Sequence, residues 1–154
     1  MPLPQHDWDH HLDNPFVAEQ LDYDRERERA LALNMVSFLN TEQLAAYQCI
    51  VASVEEQDGK MFFLHGPGGT GKTYLYKTLC HKIRGGGGIT LCVASSGIAA
   101  LLLPGGRTSH SMFQIPVDGL THTSSCSINK EGQRADMLRQ VRLIIWDEVV
   151  MQHR

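Results

Sequence analysis

The octapeptide GPGGTGKT at residues 66–73 constrains the fold of this chain more than any other feature. It fits the pattern G-x-x-x-x-G-K-[ST], in which glycines let backbone N–H groups converge on phosphate oxygens that Cβ atoms would obstruct. A helix that begins at the end of such a loop adds the positive end of its dipole to the anion site. The pattern predicts a strand, a phosphate-binding loop and a helix in succession. The residues predicted to bind the ligand are Gly66, Pro67, Gly68, Gly69, Thr70, Gly71, Lys72 and Thr73.

The sequence on both sides of the octapeptide has the character that this arrangement requires. Residues 61–65, MFFLH, form a short apolar run that predicts the strand. Leu75, Leu79 and Ile83 recur every four residues after the loop, which predicts a helix with one buried face over residues 74–84. The alternative, a glycine-rich turn with an incidental lysine, does not account for this context.

Further apolar runs predict the rest of the fold. Continuous apolar strands that alternate with helices are typical of an α/β domain, in which helices cover both faces of a mostly parallel sheet. Ligands bind such sheets at the carboxyl ends of the strands, where the phosphate loop lies. Strands are predicted at residues 89–94 and 141–146, and helices at 41–56, 97–102 and 134–140.

Length and charge divide the chain into two parts. The 154 residues predict about one domain. Residues 1–30 hold eight acidic and three basic side chains, and residues 1–37 are predicted to be a flexible acidic segment with a possible helix at 15–33. Residues 38–154 are predicted to form the domain. No apolar run has the length of a membrane span and no targeting segment is evident, which predicts a soluble chain without a membrane partner.

A second motif completes the predicted site. Residues 143–148 read LIIWDE, an apolar strand that ends in two acids. Such a strand delivers Asp147 to the phosphate crevice, where its carboxylate can hold Mg²⁺ together with the Thr73 hydroxyl, while Lys72 reaches the β- and γ-phosphates. Glu148 can polarise an attacking water as a general base. The alternative is a strand that ends in a solvated acidic turn.

Five motifs in this order resemble one family. They are NTEQ at residues 40–43, the phosphate loop, ASSGIAA at 94–100, GRTSHSMF at 106–113 and LIIWDE at 143–148. Together they resemble the PIF-type (petite integration frequency) DNA helicases of superfamily one, above all the versions carried by Helitron-type transposons. The resemblance covers residues 38–154 and implies a partial RecA-like domain that uses ATP and Mg²⁺.

The resemblance also implies roles for individual residues. Gln43 is similar to a glutamine that reads adenine, although it can equally close a capping box with Asn40. Lys72 and Thr73 match the phosphate and Mg²⁺ contacts, and Asp147 and Glu148 match the metal-binding and water-activating acids. Two further segments match contacts to single-stranded DNA, where Phe113 can instead be a core residue and His110 a histidine with its hydrogen bonds satisfied. Their residues are Ser95, Ser96, Gly97, Thr108, His110 and Phe113.

The implied activity is ATP-driven 5′-to-3′ unwinding of DNA in repair, recombination or telomere maintenance, in the nucleus or a mitochondrion. Two features depart from the family pattern. Val149 and Val150 stand where the family usually has Ala-Pro, which leaves the placement of Glu148 open. The second RecA-like domain, whose arginines close on the γ-phosphate, is expected outside this chain, unless Arg154 or another chain supplies the charge.

We therefore expect the 154-residue chain to bind ATP·Mg²⁺ weakly and to hydrolyse it little. Two alternatives remain open at this point. One is a different phosphate-loop ATPase, and the other is a non-catalytic nucleotide- or DNA-binding relic of a transposon helicase.

Overall fold

The computed structural model describes residues 14–119 and 121–149. None of the described helices combines the length and the apolar character needed to cross a membrane. The strands are β1 (Ile89–Ala94), β2 (Arg107–Thr108) and β3 (Val141–Asp147). The helices are α1 (Pro15–Leu21), α2 (Arg25–Val36), α3 (Thr41–Glu56), α4 (Lys72–Gly85), α5 (Gly97–Leu101), α6 (Ser109–Phe113) and α7 (Gln133–Arg139).

The described strands form one parallel sheet in the order β2-β1-β3. Strand β1 lies in the centre, and all six of its residues are buried. Its last residue, Ala94, pairs with Thr108 on one side and with Asp147 on the other. A register shift near Ile89 leaves Arg142 as an extra residue in β3, which explains how a charged side chain fits into an otherwise apolar strand.

Helices cover both faces of the sheet, so the predicted three-layer α/β fold is confirmed. Successive side chains of a strand point to opposite faces. On one face Cys92 and Ala94 pack with buried residues of α3, α4 and α5. On the other face Leu91 and Val93 pack with buried residues of α1, α6 and α7.

The helix that precedes the phosphate loop and the helix that follows it have the predicted character. Helix α3 has the predicted bounds and begins with a capping box, because the Asn40 and Gln43 side chains each accept a hydrogen bond from the other residue's backbone N–H. In α4 the repeating residues Leu75, Leu79 and Ile83 are buried. Tertiary packing stabilises both helices, because their apolar stripes face the sheet.

The strand predicted at residues 61–65 is absent, and this prediction was wrong. Residues 58–67 contain neither helix nor strand, and the side chains of Met61 and Phe63 are 97% and 75% exposed. A strand needs a partner to accept and donate its backbone hydrogen bonds. A cavity of about 1710 Å³ separates this segment from β3, and no described strand pairs with the outer edge of β3.

The single helix predicted at residues 15–33 is instead two helices. The first ends at Leu21, and Asp24 caps the second, since its side chain accepts hydrogen bonds from the backbone N–H groups of Glu26 and Arg27. Both helices pack on the domain: Val17 is buried in the core, and the Glu28 carboxylate lies 2.7 Å from His81 of α4. Residues 14–36 are therefore continuous with the fold, while residues 1–13 lie outside the described residues.

Candidate nucleotide-binding site

The backbone of the phosphate loop adopts a conformation that glycine favours. Gly69 and Gly71 have φ angles of 79° and 81°, in the left-handed region where a Cβ atom is unfavourable. The Thr70 hydroxyl donates a 2.8 Å hydrogen bond to the carbonyl of Pro67 and braces the turn. No described atom lies within 4 Å of the position that a Cβ on Gly68 would take. The loop therefore has a defined backbone conformation and leaves open space beside Gly68, where an anion can approach.

Lys72 closes over the same loop. It is the first residue of α4, and its Nζ donates hydrogen bonds to the carbonyls of Gly66 and Pro67 at 2.6 and 2.8 Å. An ammonium group has three donors and accepts nothing, so phosphate oxygens can take the place of these carbonyls as acceptors. The positive charge is thus held beside the loop and the helix N-terminus, where both favour an anion.

Gln43 joins α3 to the phosphate loop. Its Oε1 accepts a hydrogen bond from the backbone N–H of Asn40 at 3.0 Å, and its Nε2 donates to the carbonyl of Thr70 at 2.9 Å. The capping-box role that the sequence left open is therefore present. The adenine-reading role stays a prediction, because both ends of the amide would have to leave these partners before they could pair with a base.

Asp147 lies at the carboxyl end of the sheet and faces α4. Burial first, and then the negative charge of Asp147, raise the pKa of Tyr76. Tyr76 lies four residues after Lys72, hence on the same side of α4. Lys72, Tyr76, Asp147 and Glu148 all line the large cavity between β3 and residues 60–64. The structure thus brings the two halves of the predicted site to one cavity.

The residues here suit a hard divalent cation. Magnesium prefers oxygen ligands, and a carboxylate with a hydroxyl, phosphate oxygens and waters is a usual set for it. Thr73 and Asp147 can supply the first two. No three His, Cys, Asp or Glu side chains within the described ranges cluster so as to hold a metal by themselves. The cation would therefore depend on the nucleotide for part of its coordination.

Glu148 has an unusual backbone. Its φ angle is 53°, in the left-handed region that costs free energy in a residue other than glycine. Its N–H donates to Oδ1 of Asp147 at 3.1 Å, and its carbonyl accepts a 2.7 Å hydrogen bond from the Ser95 hydroxyl. These contacts fix the backbone of Glu148 without a proline after the acids, and they leave its side chain exposed.

The segments predicted to contact DNA begin at the same end of the sheet. Ser95 and Ser96 directly follow β1, and Thr108 ends β2 beside Ala94. Each segment contains a helix cap: the Ser96 side chain accepts from the backbone N–H of Ala99, and the Thr108 side chain from that of Ser111, both at 3.2 Å. Their hydroxyls therefore have local partners, whereas Gly97 has an open surface. His110 is partly buried nearby.

Phe113 is half-buried and packs against the core. Its ring stacks on that of Trp146, with centroids 5.4 Å apart and an angle of 27° between the rings. The core role that the sequence left open thus has direct support, and stacking on a base stays a prediction. The sequence did not single out Trp146, whose Nε1 is buried without a hydrogen-bond partner among the described residues. Tyr76 was also missed, although its helical spacing from Lys72 could have indicated it.

Comparison with known proteins adds independent information. Residues 38–154 match the family described as PIF1-like helicase. The chain is 32% identical over 99 residues to the ATP-dependent DNA helicase PIF4 of Trypanosoma brucei brucei (strain 927/4 GUTat10.1). It is 34% identical over 96 residues to the ATP-dependent DNA helicase Pif1 of Psychrobacter sp. (strain PRwf-1). Both matches cover 62% of the chain, whereas the chain spans 12% and 14% of these relatives. Since the family match extends over more than half of its residues, the chain belongs to the PIF1-like helicase family.

Proposed function

We propose that this chain is the ATP-binding part of an ATP-dependent DNA helicase. The observation that carries the proposal is that Lys72 and Asp147 line one cavity, which extends along the whole of β3 and includes its carboxyl end. A loop that cradles phosphates and a strand that presents an acid are the two elements that a phosphate-loop triphosphatase needs on one domain.

Each residue of the site has a distinct role in this proposal. The backbone N–H groups of residues 68–73 hold the phosphates, and the Lys72 ammonium moves from the carbonyls of Gly66 and Pro67 to phosphate oxygens. Thr73 and Asp147 would hold Mg²⁺, which would offset the negative charge of the phosphates. Glu148 orients the attacking water from its exposed position. Gln43 reads the adenine after it leaves the capping box.

Two observations support single-stranded DNA as the partner: the family, and the position of the two predicted DNA-contacting segments at the carboxyl end of the sheet. Single-stranded DNA would pass over Ser95, Ser96 and Gly97, and over Thr108 and His110, at the edge where the nucleotide binds. Changes at the γ-phosphate could then reach the DNA through Ser95, because its hydroxyl bonds to the carbonyl of Glu148. The 5′-to-3′ polarity, the roles in repair, recombination or telomere maintenance, and a nuclear or mitochondrial location are part of the same proposal. A second RecA-like domain outside these residues would supply the arginines for rapid hydrolysis.

Lys72→Ala tests the nucleotide site. We expect the chain to bind ATP·Mg²⁺ weakly in isothermal titration calorimetry, and the variant to lose on the order of 100-fold in affinity, because a charge-assisted hydrogen bond contributes about 1.5–3 kcal/mol. Lys77→Ala is the matched control, since Lys77 is an exposed lysine of the same helix. Equal affinities of the two variants would exclude the assigned site.

Binding of labelled single-stranded DNA, with and without ATP, tests the second partner. The proposal expects binding that responds to the nucleotide. Tight binding that ignores ATP favours a non-catalytic binding relic instead, and rapid hydrolysis by the isolated chain contradicts the need for a second domain.

A further inference from the structure

Two cysteines meet in the core beneath the nucleotide site. Cys80 of α4 and Cys92 of β1 are 0% and 1% exposed, and their Sγ atoms lie 3.2 Å apart. A disulfide has an S–S distance of about 2.05 Å, so the two sulfurs need to approach each other by about 1 Å. The other two cysteines, Cys49 and Cys126, are exposed.

The hydrogen bond between the two buried thiols shifts their pKa values in opposite directions. The hydrogen bond between them and burial raise the pKa of Cys80, which keeps this thiol protonated at neutral pH. The same hydrogen bond and the positive charge of Arg84 lower the pKa of Cys92, against the effect of burial. When Cys80 donates the hydrogen bond between them, Cys92 is the thiol that can carry the negative charge, and the thiolate is the form that attacks a disulfide.

We propose that Cys80 and Cys92 form a reversible dithiol–disulfide site that ties the phosphate-loop helix to the central strand. The oxidant is a small disulfide such as oxidised glutathione. The Cys92 thiolate attacks one of its sulfurs and releases one glutathione thiolate. Cys80 then loses its proton and attacks Sγ of Cys92, which releases the second. Two protein thiols and one glutathione disulfide become one protein disulfide and two glutathione thiols.

The bond would connect two elements that lead directly to the site. Helix α4 begins at Lys72, about two turns before Cys80, and β1 leads into Ser95 within three residues of Cys92. The exchange requires a transient opening of the contact between α4 and β1, because both sulfurs are buried. Oxidation is therefore slower than at Cys49 or Cys126, but its equilibrium position does not depend on that rate.

An equilibrium measurement tests the site. The double variant Cys49→Ser with Cys126→Ser keeps both buried cysteines and removes the exposed ones. It is equilibrated in buffers of reduced and oxidised glutathione, folded or in urea, then acid-quenched and analysed by intact-mass spectrometry. We expect the equilibrium constant for the internal disulfide to be on the order of 100-fold larger in the native protein than in the unfolded chain. The fold already holds the two cysteines together, whereas the unfolded chain loses conformational entropy when the bond closes the loop between them. By the same linkage, the oxidised protein unfolds roughly 5–15 °C higher, and dithiothreitol reverses the shift.

Two results would overturn the proposal. A native-to-unfolded ratio of one or less shows that the folded contact opposes the bond. The triple variant that also carries Cys80→Ser cannot form this disulfide. If it still shows the full loss of two protons in mass, the signal comes from another reaction. Because the protein that carries the measurement retains Cys80 and Cys92, the folding of the core is not disturbed by the test.

Discussion

Strand β1 and the segment at residues 60–65 have similar apolar sequences but different structures. All residues of β1 are buried, with strands on both edges and helices on both faces. The segment at 60–65 has no strand partner and exposes Met61 and Phe63. An apolar run therefore specifies the potential for a strand, and neighbouring strands decide whether one forms, because backbone donors and acceptors must be satisfied across the edge.

Hydrogen exchange provides the largest expected contrast between these two regions. Amides in the centre of β1 open only with much of the fold, so we expect them to exchange roughly a thousandfold more slowly than those of residues 60–64. Mass spectrometry of proteolytic fragments measures both regions in one sample. Similar protection of both would show that the segment at 60–64 is paired in solution.

Truncation of one apolar side chain in each region sharpens the same contrast. Leu91→Ala removes a side chain that is 1% exposed and should cost about 2–5 kcal/mol of unfolding free energy. Phe63→Ala removes one that is 75% exposed and should change it by less than about 0.5 kcal/mol. Urea unfolding followed by circular dichroism measures both. A large loss for Phe63→Ala would indicate that the segment is packed.

The phosphate loop, which follows the irregular segment, is held from its other side by α3. A Cβ on Gly71 would lie 2.5 Å from Nε2 of Gln43, in a residue with positive φ. Gly71→Ala should therefore cost about 1–2 kcal/mol, and Gly68→Ala, which meets no described atom, should cost less. Urea unfolding without nucleotide tests this. Equal costs would mean that the loop has no fixed conformation in the absence of ligand.

The smallest expected effect is at the start of the segment, where Asp58 accepts hydrogen bonds from Lys60 and Ser53. The Lys60 ammonium first, and then the Ser53 hydroxyl, lower the pKa of Asp58 to about 2. Since its folded pKa is lowered, its stabilisation is present above the unfolded pKa of 3.8 and is lost as the pH falls toward 2. The free energies of unfolding of the wild type and Asp58→Asn should thus converge as the pH falls from about 4 toward 2. A constant difference would contradict the role of this charge.

Much of the fold was predictable because its signals are local. The capping box at Asn40 and Gln43 and the repeat of Leu75, Leu79 and Ile83 each specify a helix within a few residues, and both predictions are confirmed. The strand predicted at residues 61–65 failed for a reason outside that segment, whereas the single helix predicted at 15–33 failed for a reason within it. In the first case, the segment does not pair with the outer edge of β3. In the second, the Asp24 side chain caps the start of a new helix.

The sequence by itself determined that a phosphate loop, an apolar strand ending in Asp147 and the helix caps exist, because spacing and residue type carry that information. Only the tertiary structure decided which partners these residues have. In it, Gln43 donates a hydrogen bond to the Thr70 carbonyl and Ser95 donates one to the Glu148 carbonyl, while the ring of Phe113 stacks on that of Trp146. Such contacts join residues that are far apart in the chain, so local sequence signals cannot specify them. The parallel register brings Ala94, Thr108 and Asp147 together at the carboxyl end of the sheet.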